Sequence, residues 1–155
     1  MPKGSINLST ITHYVKELDI MSTSGRILVI DDEFSTRQIV SEILREYDLH
    51  CFLAADGESG LEFFKKYRTS IRLILLDLAM PGIGGEETCR KLLEIDPFAK
   101  IVIFTGYAEE DVATNLLGLK LAGFVQKPCR WQSMTAMILR LVQSPNYPSG
   151  ALGSA

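Results

Sequence analysis

Apolar residues are concentrated in five short runs, and the segments between them carry apolar residues at helical spacing. A short, mostly branched apolar run is typical of a strand buried on both faces of a parallel sheet. We predict strands at Arg26–Ile30 (β1), His50–Ala54 (β2), Leu73–Leu76 (β3), Lys100–Phe104 (β4) and Gly123–Gln126 (β5). We predict helices at Ser35–Tyr47 (α1), after Asp56-Gly57 (α2), and at Glu86–Ile95 (α3), Glu109–Lys120 (α4) and Arg130–Val142 (α5). This alternation indicates a three-layer, doubly wound α/β fold with a parallel sheet and right-handed crossovers.

The two ends of the chain do not follow this alternation. Ser9 or Thr10 is placed to cap a short N-terminal helix whose apolar face is Ile11, Tyr14, Val15 and Leu18. We interpret His13, which has no neighbouring acid to orient its ring, as a surface histidine rather than a phosphorylation site. The chain therefore divides into an N-terminal extension at residues 1–25, a domain at residues 26–143 and a flexible tail at residues 144–155.

The composition is that of one globular domain with its own core. The chain has 155 residues, of which 46% are hydrophobic and 23% charged, and its formal net charge is −3. This charge does not favour nucleic acid or an anionic membrane as a partner, and no apolar run is long enough for a membrane span or a signal peptide. The three scattered cysteines, Cys51, Cys89 and Cys129, indicate reduced thiols in a cytoplasmic protein.

Polar residues that can carry chemistry follow four of the predicted strands. Asp31 and Asp32 end β1, Asp77 ends β3, Thr105 ends β4 and Lys127 ends β5. Because the carboxyl ends of parallel strands lie at one edge of a sheet, we expect these side chains to converge there. Close carboxylates without histidine or cysteine ligands suit Mg²⁺. A carboxylate beside that ion can attack a phosphoryl group and become an aspartyl phosphate.

The chain resembles, over about residues 26–143, the receiver domain of two-component response regulators. The motifs that carry the resemblance are Val-Ile-Asp31-Asp32-Glu33, Leu-Asp77-Leu-Ala-Met-Pro81-Gly-Ile-Gly-Gly85, Phe-Thr105-Gly-Tyr107 and Phe124-Val-Gln-Lys127-Pro128. The last two are similar to receivers attached to hybrid histidine kinases. The resemblance implies a flavodoxin-like (βα)5 fold with a five-stranded sheet in the order 2-1-3-4-5.

The same resemblance implies the role of each acidic residue. Asp77 would be the phosphoacceptor, and Asp31, Asp32 and Asp77 would bind Mg²⁺ together with the backbone carbonyl of Ala79. Ala79 offers no side chain beside the phosphoryl site, which removes one group that could position a hydrolytic water. A histidine kinase or a histidine phosphotransfer domain would supply the phosphoryl group.

Three further residues receive roles by resemblance. Thr105 would bond the phosphoryl group, Lys127 would pair with it, and the Lys127–Pro128 bond would be cis. Phe124 is either a core aromatic residue of β5 or a switch residue that turns inward when Thr105 moves, and the two readings are compatible. The switch would alter the α4–β5–α5 face, where a partner or a second copy would dock as a homodimer.

Other functions fit the sequence less well. A phosphatase that forms an aspartyl phosphate would carry two acids on one strand, whereas Asp77 stands alone on β3. A receiver-like scaffold that never carries phosphate would not need the set Asp32, Asp77, Thr105 and Lys127. A flavin-binding domain would need a phosphate loop after β1, where the acids would repel the phosphate. We therefore expect a phosphoacceptor switch rather than an enzyme.

Overall fold

The computed structural model of the protein describes residues 7–10 and 26–143. Four predicted features lie outside the described residues: the helical face that begins at Ile11, the histidine His13, the linker before β1, and the tail from residue 144. Within the described residues, no helix is long and apolar enough to cross a membrane.

Strands and helices alternate throughout residues 26–143. The strands are Arg26–Ile30 (β1), His50–Ala54 (β2), Ile71–Leu76 (β3), Ile101–Thr105 (β4) and Gly123–Gln126 (β5). The helices are Phe34–Arg45 (α1), Gly57–Tyr67 (α2), Gly84–Ile95 (α3), Glu109–Ala113 (α4) and Trp131–Gln143 (α5). The order of elements agrees with the prediction, and most boundaries agree within two residues.

All five strands join one parallel sheet in the order β2-β1-β3-β4-β5. The first strand, β1, lies in the interior of the sheet. Strand β2 pairs with it on one side, and the chain then crosses back to place β3, β4 and β5 on the other. The predicted flavodoxin-like topology is therefore confirmed. The reversal of direction lies between β1 and β3, where such sheets leave a crevice at the carboxyl ends of their strands.

Each face of the sheet has its own hydrophobic core. Alternate residues of a strand point to opposite faces, so Ile74 and Leu76 of β3 belong to one cluster while Leu73 and Leu75 belong to the other. The first cluster packs the sheet against α2, α3 and α4, and the second packs it against α1 and α5. Because both faces are covered, the strands are apolar along most of their length.

Helix α4 is much shorter than predicted. The acidic first turn forms a helix at Glu109–Ala113, but the chain then continues in turns rather than in a helix to Lys120. The amides of Asn115 and Leu119 each donate to a carbonyl three residues earlier, and Gly118 has a left-handed φ of 83°. Threonine, asparagine and glycine are all poor helix formers, so the apolar spacing of this segment overstated its helical length.

Candidate functional site

The predicted site residues lie at the carboxyl edge of the sheet, where backbone hydrogen bonds continue past the strands. The amide of Asp31 donates to Ala54 at 3.1 Å, and the amide of Asp77 donates to Ile30 at 2.9 Å. The amide of Lys127 donates to the Thr105 carbonyl at 2.7 Å. A hydrogen bond to a neighbouring strand thereby holds the backbone of Asp31, Asp77 and Lys127.

Three carboxylates meet at this edge. Asp31, Asp32 and Asp77 each present one carboxylate oxygen, and these oxygens lie within 4.8 Å of one another. Asp31 and Asp77 are only 1% and 5% exposed, whereas Asp32 faces solvent. Oxygen donors alone form this cluster, which is the ligand set that hard divalent cations prefer. The chemistry of the cluster therefore fits Mg²⁺, and its accessible side is at Asp32.

Lys127 joins two of these carboxylates. Its Nζ atom lies 2.6 Å from Asp31 Oδ2 and 3.6 Å from Asp77 Oδ2. Burial lowers the pKa of Lys127, but its hydrogen bond to Asp31 and the nearby carboxylate charges outweigh that effect and raise the pKa above the ordinary value. The ammonium group is therefore charged at neutral pH. Burial raises the pKa of Asp31, and the hydrogen bonds from Lys127 and the Glu33 amide oppose that rise.

Backbone amides orient the two buried carboxylates. Asp31 Oδ1 accepts a hydrogen bond of 2.9 Å from the Glu33 amide, and Asp77 Oδ1 accepts one of 3.1 Å from the Ala79 amide. Arg37, which our sequence reasoning missed, donates from Nη1 to the Asp31 carbonyl at 2.8 Å. Its position one turn into α1, six residues after Asp31, was the only signal available in the sequence. These contacts hold the loops after β1 and β3 against the cluster.

Thr105 and Phe124 lie on the α4 side of the sheet. Thr105 is fully buried, and its Oγ1 accepts a long hydrogen bond of 3.5 Å from the Tyr107 amide. Phe124 is half-buried, pairs with Ile103 in the sheet and packs against the core cluster that contains Val112. It also lines a cavity of about 360 Å³ beneath the turns that follow α4. Phe124 therefore lies beside a cavity, and its role as a switch stays a prediction.

The segment after Lys127 has two further features. The Lys127–Pro128 peptide bond is cis, as the resemblance implied. Cys129 is half-buried, and burial raises the pKa of its thiol more than the Lys127 charge lowers it. A protonated, partly buried thiol is consistent with a small apolar side chain that fills space.

Comparisons with known proteins show which sequences and structures this chain is similar to. The response regulator receiver domain family matches residues 27–139. The chain is 34% identical to protein CcdB of Bacillus subtilis (strain 168) over 104 residues, which cover 66% of this chain and 85% of CcdB. It is also 34% identical to response regulator GacA of Pseudomonas viridiflava over 125 residues.

The match to GacA covers 80% of this chain but only 58% of GacA, so the chain spans somewhat more than half the length of that relative. Among solved structures, the response regulator receiver domain protein from Clostridium thermocellum superposes with a TM-score of 0.70 at 26% identity. That superposition covers 76% of this chain and 94% of the other.

Proposed function

This chain belongs to the response regulator receiver domain family, and on that premise we propose that Asp77 accepts a phosphoryl group from a phosphohistidine. Receiver domains act as phosphorylation-controlled switches in two-component signalling. The donor would be a histidine kinase or a histidine phosphotransfer domain. The proposed location is the cytoplasm, since all three cysteines of the chain are free thiols.

The acidic cluster supports a role for Mg²⁺ in this reaction. Asp31, Asp32 and Asp77 would hold the ion, together with the backbone carbonyl of Ala79. Mg²⁺ bound there would neutralise charge on the phosphoryl oxygens. Oxygen-only donors and the exposed position of Asp32, which leaves one side of the cluster open, support this assignment.

The protein's own groups account for the remaining chemistry. An Asp77 oxygen forms the bond to phosphorus while the phosphorus–nitrogen bond of the donor breaks, and the imidazole nitrogen keeps the electron pair. The Ala79 amide orients the attacking carboxylate through its hydrogen bond to Oδ1. Lys127 would move toward the incoming phosphoryl oxygens, and Thr105 would donate its hydroxyl proton to one of them.

One observation carries the proposal more than any other. The charged ammonium of Lys127 lies between two buried carboxylates that come from different strands. An ion pair that served only stability would be satisfied by one carboxylate, and burying a second one beside it is costly. A site that must neutralise both a carboxylate and an arriving phosphoryl group needs this arrangement.

Phosphorylation by a small donor tests the assignment of Asp77. With Mg²⁺ and acetyl phosphate, we expect intact-mass analysis to detect one added phosphoryl group, with acetate as the leaving group. Asp77→Asn should abolish the adduct because an amide oxygen is a far weaker nucleophile.

A matched control is Asp48→Asn. Asp48 is exposed and has a left-handed φ of 59°, which asparagine also tolerates. This variant should be phosphorylated like the wild type. Persistence of the adduct in Asp77→Asn would contradict the assignment.

A further inference from the structure

An aromatic ring lies directly against the ammonium group of Lys127. The Nζ atom is 4.7 Å from the centroid of the Phe104 ring. Phe104 precedes Thr105 on β4 and is 2% exposed. It belongs to the core cluster on the α1–α5 side of the sheet. The role assigned to Lys127 by family resemblance does not include this contact.

A second aromatic residue holds the Phe104 ring in place. Trp131, the first residue of α5, meets it edge-on, with centroids 6.2 Å apart and ring planes inclined by 64°. An edge-to-face pair is a favoured aromatic geometry, and it fixes the orientation of both rings. The face of Phe104 is therefore presented to Lys127 by a packed pair in which Phe104 is buried and Trp131 is half-buried.

The physical consequence concerns an ammonium group that has lost most of its water. The Lys127 side chain is only 20% exposed, and its two carboxylate partners differ by 1.0 Å in distance, 2.6 Å against 3.6 Å. A ring face attracts a cation through its quadrupole, and the attraction strengthens when the cation is desolvated. Because the ring accepts no strong hydrogen bond, it supports the ammonium without competing for the N–H groups that a phosphoryl oxygen needs.

We propose that Phe104 is a positioning residue for phosphoryl transfer, which holds the Lys127 ammonium between Asp31 and Asp77. The inference rests on the proposed function, since it assigns Lys127 to the incoming phosphoryl group. Without the ring, the ammonium moves closer to Asp31, its nearer partner, and spends less time within reach of the phosphoryl oxygens. Phe104 thus acts through Lys127 and not on the reacting atoms.

The test compares two substitutions of equally buried phenylalanines. Phe104→Leu keeps an apolar side chain but removes the ring face, and we expect phosphorylation by acetyl phosphate to slow about fivefold. Phe64→Leu makes the same change at another residue that is 2% exposed but belongs to the opposite core cluster. It should leave the rate close to that of the wild type. Intact-mass analysis of timed samples gives each rate.

A double-mutant cycle separates positioning from general loss of packing. In a Lys127→Met background the ammonium is gone, so adding Phe104→Leu should not slow phosphorylation further. If thermal unfolding shows that the Phe104→Leu variant is not folded, Phe104→Met replaces it in the same cycle.

Two results would overturn the inference: equal rates for Phe104→Leu and Phe64→Leu, or an undiminished effect of Phe104→Leu without the lysine. Failure of the wild type to gain a phosphoryl group would instead refute the proposed function itself.

Discussion

At the scale of single residues, the site depends on one glycine that brings α3 against the strand carrying Asp77. A Cβ atom at Gly85 would lie 2.3 Å from the Asp77 carbonyl oxygen and 2.3 Å from Leu78 Cα. The Gly85 amide also donates to the Leu78 carbonyl at 3.2 Å. Both obstructing atoms belong to the backbone and cannot rotate away, so only glycine allows this approach.

We predict that Gly85→Ala lowers the free energy of unfolding by about 1–3 kcal/mol, because the methyl group forces the backbone after β3 to shift. Urea unfolding at constant pH measures the change. Gly106→Ala is the control, since no heavy atom of the described residues, apart from those of its chain neighbours, lies within 4 Å of its added Cβ, and its φ is not left-handed. It should change stability by less than about 0.5 kcal/mol. A similar loss in both variants would refute the packing argument.

At the scale of elements, helix α2 begins with a side-chain cap that follows directly from its sequence. Asp56 has an extended backbone, and its Oδ1 accepts a hydrogen bond of 2.7 Å from the Ser59 amide. Glu58 lies in the first turn, and Lys65 and Lys66 lie in the last, as the helix dipole favours. Hydrogen bonds from the side chain and the amide of Ser59 lower the pKa of Asp56 below its ordinary value of 3.8.

We predict that Asp56→Ala lowers stability by about 1 kcal/mol at pH 7, because a helix amide loses its acceptor. Since the pKa of Asp56 is lower in the folded state, its contribution is complete above the unfolded value, 3.8. It is lost as pH falls through the folded value. Denaturant unfolding of both proteins at several pH values should therefore give curves that converge under acidic conditions. Glu62→Ala, an exposed change within the same helix, should change stability by less than about 0.5 kcal/mol at every pH.

At the scale of the whole molecule, folding itself creates the acidic cluster. Two strands and two helices lie between Asp31 and Asp77 along the chain, and only the folded sheet brings their oxygens within 4.8 Å of each other and of Asp32. A cation that binds there binds the folded state and not the unfolded chain. Stability should therefore depend on the ion.

We predict that Mg²⁺ at ten times its dissociation constant stabilises the protein by about 1.4 kcal/mol. Thermal unfolding with and without MgCl₂ measures this, with NaCl at matched ionic strength as the control. Asp32→Asn should reduce the effect, because it removes one charged ligand. An unchanged midpoint in Mg²⁺ would contradict a specific site.

The whole molecule is also the scale at which a switch would operate. Thr105 ends β4, and Phe124 lies on the neighbouring strand with a cavity of about 360 Å³ beside it. If the Thr105 hydroxyl moves to a phosphoryl oxygen, Phe124 can turn inward and change the α4–β5–α5 face. A phosphoryl group shifts this equilibrium only through its different affinity for the two states.

We predict that Thr105→Ala still accepts a phosphoryl group at Asp77, but that its α4–β5–α5 face changes only weakly in response. Amide NMR spectra with beryllofluoride, a phosphoryl mimic, should contain large shifts across α4, β5 and α5 in the wild type and much smaller shifts in Thr105→Ala. Ser70→Ala is the control: its hydroxyl donates to the Tyr67 carbonyl before β3, so its loss leaves the α4 side unchanged. Equal shifts in Thr105→Ala and the wild type would exclude this route.

The sequence by itself determined the order of strands and helices and the edge at which the polar residues lie. Apolar runs and helical spacing are local properties of the chain, and parallel strands necessarily bring Asp31, Asp77, Thr105 and Lys127 to one edge. The spacing of apolar residues predicted too long a helix α4, which ends at Ala113 where turn-forming residues follow. Hydrophobic periodicity does not indicate where a helix ends.

Only the tertiary structure decided which atoms meet. Lys127 and Asp31 are 96 positions apart, and their 2.6 Å contact depends on how β5 packs beside β4 and how both fit α5. The Arg37 contact, the Phe104 ring beneath the ammonium and the close approach of Gly85 have the same origin. Each is a contact of a few ångströms between separate elements, and such distances are set by three-dimensional packing rather than by any local pattern of residues.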